Sequence, residues 1–278
     1  MKRLISIELQ KITKNKASVI LTICYFVLLV LTALLASFEF KIFGATVKFG
    51  EWGAFNFPFV WHAVSYVAAI LKLFLAIIIV SMMANEYSYG TLKQNLIDGM
   101  SKKEFILSKF YTICLLSLIS TIVVFIITMV LGFSFSAYDE MSIVFTDADY
   151  LLAYFVKLVA FFSFCMFLGI LVKRSAFALG FLIIWNVIEF FIGVALLKAM
   201  PGSTIPETIY RFLPLESMSN LILNPARRFA LVKNLEKQLG GAENTLDYSV
   251  DYTQVAIVLG WIVIFVLMSY KLLKKRDL

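Results

Sequence analysis

Six long apolar runs constrain this chain more than any motif in it. They fall at residues 17–37, 61–84, 110–133, 150–172, 176–197 and 253–270. Each is close to or above the roughly 20 residues a helix needs to cross about 30 Å of hydrocarbon. In lipid every backbone N–H and C=O must be satisfied internally, which leaves only helices or closed barrels. A barrel would be written as alternating segments of about 10 residues, and these runs are continuous. The composition agrees: 61% of residues are hydrophobic and only 15% charged, far from a soluble balance. The expected fold is therefore all-α, a single polytopic membrane domain over residues 1–278 with six transmembrane helices.

The net charge of +7 would suit nucleic acid, but its placement argues for a membrane surface instead. Lysines and arginines collect in alternate short loops and at both termini: Lys2, Arg3, Lys11, Lys14 and Lys16, then Lys93, Lys102, Lys103 and Lys109, then Lys173 and Arg174, and finally Lys271 to Arg276. The opposite short loops hold only Lys41 and Lys48, together with the acids Asp139, Glu140, Asp147 and Asp149. The positive-inside rule puts both termini in the cytoplasm of a bacterial-type inner membrane, where the basic face also suits anionic headgroups. No nucleic-acid partner is expected. The region 198–252 carries basic residues too, yet falls outside, because long loops follow the rule poorly.

Before the first span, Ile5, Leu9 and Ile12 recur at helical spacing and the lysines are available for the other face. The spacing predicts an amphipathic interfacial helix over residues 1–16; a frayed basic tail is the alternative. No small-residue cleavage site follows the first run, so it reads as a retained span rather than a signal peptide.

Catalysis and metal binding find little support. Cys24, Cys114 and Cys165 lie inside apolar runs without paired spacing, which disfavours a disulfide framework or a zinc site. His62 is the single histidine, at the outer end of the second span, and reads as structural. None of the 13 glycines is followed by lysine, so no phosphate-cradling Walker loop is present. The chain is expected to be no enzyme, with no catalytic residues, no metal and no cofactor of its own.

The most informative stretch is the loop 85–109. Thr91 with Gln94, and Ser101 with Glu104, each match a capping box, and Gly99 is placed to end the first helix in a left-handed conformation. The pattern predicts a helix of about two turns, Leu92 to Asp98, with Leu92 and Leu96 on one face. A helix so short must pack against something. A docking element for a soluble partner and an ordinary loop resting on headgroups both fit.

The run Glu86, Gly90-Thr91, Leu96, Ser101-Lys102-Lys103-Glu104 and Lys109 resembles the first cytoplasmic loop of type-2 ABC exporter permeases. There an acid precedes Gly-Thr, a short coupling helix follows, and a Ser-basic segment leads to Lys at the next span. The likeness extends to a basic N-terminal helix, six spans and a large outer region before the last. It departs at Asp98-Gly99-Met100, where many relatives have a proline-containing turn. The resemblance implies a permease that pairs with a second copy or a similar subunit. It would be driven by two copies of a separate ATPase, which binds the ATP and Mg. It also implies that Glu86, Gly90, Thr91, Leu92, Asn95, Leu96, Ser101, Lys102 and Glu104 form the ATPase-coupling element.

Three charges lie within spans, where charge is costly and usually faces protein or water. Lys72 is 11 residues beyond Trp61, roughly 16 Å deep, and Lys157 and Glu189 are roughly 10 to 12 Å deep. One reading pairs Glu189 with a lysine beside an outward-opening cavity, with Asn186 on the same helix face, as a translocation path. The other has the lysines snorkel while Glu189 ties helices together. The outer stretches 210–215 and 218–223 fit short amphipathic helices, as gate or as cap. A scaffold that anchors a soluble partner without transport remains a rival. An ion-coupled secondary transporter lacks the paired Gly/Pro-interrupted spans it needs, and an intramembrane hydrolase is the weakest candidate, with a single histidine and no Gly-Asp pair for an aspartyl site.

Overall fold

The computed structural model describes residues 2–37, 40–42, 45–47, 54–200, 205–228 and 247–276. The described chain is mainly helical, with short turns and links between the helices and one short antiparallel ribbon, β1 (Phe40–Ile42) and β2 (Ala45–Val47), in which Phe40 stands opposite Val47. Six helices are long and apolar enough to cross a membrane: α2 (Lys16–Ser37), α3 (Phe59–Ser88), α5 (Lys102–Phe135), α7 (Asp149–Val172), α8 (Ser175–Ala199) and α11 (Tyr252–Lys274). They make this a multi-pass membrane protein. The shorter helices are α1 (Lys2–Lys14), α4 (Thr91–Ile97), α6 (Met141–Val144), α9 (Ile205–Arg211) and α10 (Pro214–Ser219), with a 3₁₀ turn at Pro225–Arg228.

Each predicted span lies within one of the six long helices, but two run well past it. With 30 residues α3 is about 45 Å long, and with 34 residues α5 is about 51 Å, both more than the hydrocarbon requires. Polar residues do not stop a helix whose other faces are packed. The connecting loop therefore shrinks from the predicted 85–109 to 89–101, and Glu86 and Lys109 ride on helix rather than loop.

α7 is the most enclosed of the six and forms the axis around which α3, α5, α8 and α11 pack. Lipid supplies no hydrophobic drive between helices, so close backbone approach and buried polar ties do the work. Gly169 supplies the first: a Cβ there would stand 2.7 Å from the Met83 Cβ of α3. Tyr25 of α2, Ser120 of α5 and Tyr154 of α7 supply the second, as three mutually bonded hydroxyls 2.6 to 2.7 Å apart.

The bundle has two chemically distinct ends. At the basic end lie α1, α4, the 173–174 turn and the last residues of α11, where Arg276 donates to the carbonyls of Ile170 and Leu171. At the opposite end α9, α10 and the 3₁₀ turn cover the helix ends. There Trp261 donates to the Phe212 carbonyl at 3.0 Å, and the buried Gln254 amide donates to those of Arg211 and Ser217 at 3.1 and 3.0 Å.

Candidate functional site

The two capping boxes written into the loop have different fates. Ser101 and Glu104 form theirs: the Ser101 Oγ accepts from the Glu104 N–H at 3.2 Å, and the Ser101 N–H donates to Glu104 Oε2 at 2.9 Å. Thr91 does not. Gly90, left-handed at φ 66°, takes the N-cap position, and Thr91 becomes the first residue of α4. Its hydroxyl is thereby free to turn back and donates to Glu86 Oε2 at 2.5 Å. Gln94 completes no box; its side-chain amide donates to Asp98 Oδ1 at 3.5 Å.

The other end of α4 closes as predicted. Gly99 has φ 92°; its N–H donates to the Leu96 carbonyl at 3.2 Å, and the Met100 N–H to that of Asn95 at 3.0 Å. This is a Schellman motif, and it fixes the exit direction of the chain. Lys102 then ties the loop to the C-terminus, donating to the Arg276 carbonyl at 2.9 Å.

α4 turns its leucine face inward. Leu92 is 1% exposed and Leu96 packs against the core. Burial of these two holds the short helix in place, and leaves Tyr89, Lys93, Gln94 and Ile97 facing away from the bundle. Ile97 is 79% exposed and Tyr89 76%. They are the large apolar side chains of this loop that the chain itself leaves uncovered.

Beneath α4 lies a buried ionic cluster. Lys109 of α5, fully buried, donates to Glu8 Oε2 of α1 and to Glu86 Oε1 of α3, both at 2.5 Å. Lys11 of α1 donates to Glu86 Oε1 at 2.7 Å and lies 3.4 Å from Glu8 Oε1. The Lys109 ammonium also sits 5.1 Å from the Phe105 ring centroid. Two carboxylates and two ammonium groups balance, which is how buried charge is tolerated. Half-burial works to lower the pKa of Lys11, but its bond to Glu86 and the charge of Glu8 outweigh it, and the net direction is upward. The cluster joins α1, α3 and α5, and through the Thr91 hydroxyl it also holds α4. Beside it a recess of about 370 Å³ opens, lined in part by Lys11, Lys14, Asn15, Tyr89 and Thr91.

The intramembrane charges combine parts of both sequence expectations: Glu189 ties α8 to α10, and Lys72, Lys157 and Asn186 share a cavity, but the lysines neither pair with Glu189 nor snorkel. Among the described residues Glu189 pairs with neither lysine. Its carboxylate accepts from the Leu215 N–H at 3.1 and 3.0 Å, the Glu216 N–H at 2.9 Å and the Trp185 indole at 2.6 Å. Glu189 therefore caps the start of α10. Lys157, 4% exposed, does not snorkel; its ammonium points to the Ser219 carbonyl at the other end of α10, at 3.4 Å. An anion at the N-terminus and a cation at the C-terminus complement the dipole of this six-residue helix. Lys72 lies over the Phe161 ring, 4.4 Å from its centroid. Lys72, Lys157 and Asn186 line one cavity of about 480 Å³, and Glu189 acts above it, holding α10 in place.

His62 is structural in this arrangement. Its Nδ1 accepts from Arg228 at 3.0 Å, and its Nε2 then carries the proton donated to the Leu223 carbonyl at 2.7 Å. The ring stacks on Tyr150 at 4.4 Å, and Arg228 reaches Asp147 at 3.7 Å. Among the described residues no group of three or more His, Cys, Asp or Glu side chains is arranged to hold a metal ion.

A family model described as a protein of unknown function (DUF2705) matches residues 42–278. No curated protein matches the chain.

Proposed function

This chain belongs to the DUF2705 family of proteins of unknown function, and we propose that it is the membrane-spanning permease subunit of an ATP-driven ABC exporter of the bacterial inner membrane. Two copies of a separate ATPase would bind the ATP and Mg, and a second permease copy or a similar subunit would complete the assembly. The observation that carries this reading is the seating of α4. A two-turn helix is fixed at both ends by Gly90 and the Gly99 Schellman motif, is anchored by Leu92, and presents Lys93 and Ile97 outward beside the exposed Tyr89 that precedes it.

The geometry gives such a helix a mechanical role. With both termini cytoplasmic, the basic end is the face an ATPase would meet. Force applied to the exposed side of α4 passes through Thr91 to Glu86, and from there through Lys109 and Lys11 to α5 and α1. α3 and α5 continue from that end across the bundle to the outer cap. Movement of α4 on nucleotide binding would thus reorient two long helices together, as alternating access requires.

The surface prediction can be checked in membrane vesicles whose cytoplasmic face is outward. Cysteine placed at Ile97 should react several-fold more slowly with a membrane-impermeant maleimide in native membranes than in the purified protein, because the ATPase covers it. The native Cys24, Cys114 and Cys165 sit within long apolar helices and contribute little signal. Equal rates in both preparations, with ATP or without, would count against a partner at α4.

A further inference from the structure

The cavity of about 480 Å³ in the outward half of the bundle has the chemistry of a binding site. It lies between α3, α7 and α8 under the roof of α10. Two ammonium groups, Lys72 and Lys157, and the Asn186 amide reach it, and neither lysine forms an ion pair among the described residues. Lys157 is left with one 3.4 Å bond to a backbone carbonyl, and Lys72 with an aromatic face. Buried ammonium groups have three donors each and ordinarily find anionic acceptors.

The rest of the lining is apolar, and its edge is open. Ile70 of α3 is 57% exposed, and Ile183 and Val187 of α8 are 64% and 47% exposed, so the cavity opens sideways along the bundle rather than to water. In a bilayer that opening faces acyl chains. Cationic groups at the inner end of an apolar, laterally open slot match a molecule with one anionic head and an alkyl chain.

We propose that this cavity binds an anionic amphiphile, with its phosphate or carboxylate head on Lys72, Lys157 and Asn186 and its chain against Ile70, Ile183 and Val187. The same chemistry is offered by an anionic membrane lipid and by a free alkyl phosphate or fatty acid. The site depends on the membrane-spanning reading of the helices and not on the presence of an ATPase.

The test uses the full-length protein in phosphatidylcholine vesicles with two photoactivatable probes of equal chain length, diazirine-bearing dodecyl phosphate and diazirine-bearing dodecylphosphocholine. The phosphate probe should label peptides covering residues 66–73 and 182–187, at least about tenfold more than the phosphocholine probe, since two cationic side chains favour a net-anionic head over a zwitterionic one. In Lys72→Gln/Lys157→Gln the preference should disappear, while Glu189 and Gln254 still hold the α10 roof. A third arm with diazirine-bearing phosphatidylglycerol separates the sources. Labelling there assigns the site to bilayer lipid, and labelling by dodecyl phosphate alone assigns it to a free amphiphile. Equal labelling by phosphate and phosphocholine probes in the wild type would mean that the two lysines do not select a net-anionic head, and would overturn the proposal. So would absence of label combined with efficient Ile183→Cys cross-linking between copies, which would mean that a second chain fills the slot. Neither of these outcomes needs the double variant to fold.

Discussion

Lys109→Met is expected to destabilise the protein by about 3–5 kcal/mol, the usual penalty for removing one member of a buried ion pair. Lys109 is fully buried and stands between Glu8 and Glu86, each 2% exposed. Without it two carboxylates share the site with only Lys11. Thermal or denaturant unfolding in mild detergent reads the effect directly. Adding Glu8→Gln should recover part of the loss, because Glu86 and Lys11 then balance one another. A Lys109→Met protein as stable as wild type would show that the cluster does not hold α1, α3 and α5 together.

The second large effect is expected at the other end of the molecule. Glu189→Leu leaves the Leu215 and Glu216 N–H groups and the Trp185 indole without their acceptor. A buried donor left unpaired costs about 1–3 kcal/mol. α10 should then detach locally while the six long helices stay packed. Trypsin cleavage after the exposed Arg211, between α9 and α10, should accelerate by at least about tenfold, one order of magnitude per 1.4 kcal/mol of local stability. Glu189→Gln keeps one oxygen acceptor and should fall between. Unchanged cleavage in Glu189→Leu would mean that Gln254 and Lys157 alone secure the roof.

The sequence was most legible where the determinants are local. Apolar runs find the six long helices because nothing but a helix can place 20 such residues in lipid. Gly99 and the Ser101–Glu104 box are short-range chemistry and fold as written. Thr91 shows the limit: its box was available, but the left-handed Gly90 occupied the cap, and an acid one turn back in α3 offered the hydroxyl a stronger acceptor. The inward turn of Leu92 follows from the same docking, since a short helix is stable only with its apolar face covered.

The buried cluster joins residues 101 positions apart, Glu8 and Lys109, and no spacing rule reaches that far. One signal was present. Glu8 falls three residues after Ile5 and four before Ile12, on the apolar side of the amphipathic pattern, where an acid is out of place unless a buried cation meets it. Glu189, a charge inside a span, demands an explanation from the sequence alone. Its partner, however, is backbone N–H at the start of a short helix, and such an acceptor leaves no trace in the charge pattern. Lys157 likewise finds a helix carbonyl rather than the surface.

Contact between the outer face of α4 and a separate ATPase can be read by extracting the tagged protein from its native membrane in mild detergent and assaying the eluate for bound protein and ATP hydrolysis. Wild type is compared with Lys93→Glu/Ile97→Asp, whose two changed side chains are exposed and leave Leu92 and the ionic cluster intact. A stoichiometric ATPase should accompany wild type and be lost from the variant at unchanged thermal stability. A well-folded wild-type protein that never brings down an ATPase would contradict such a contact.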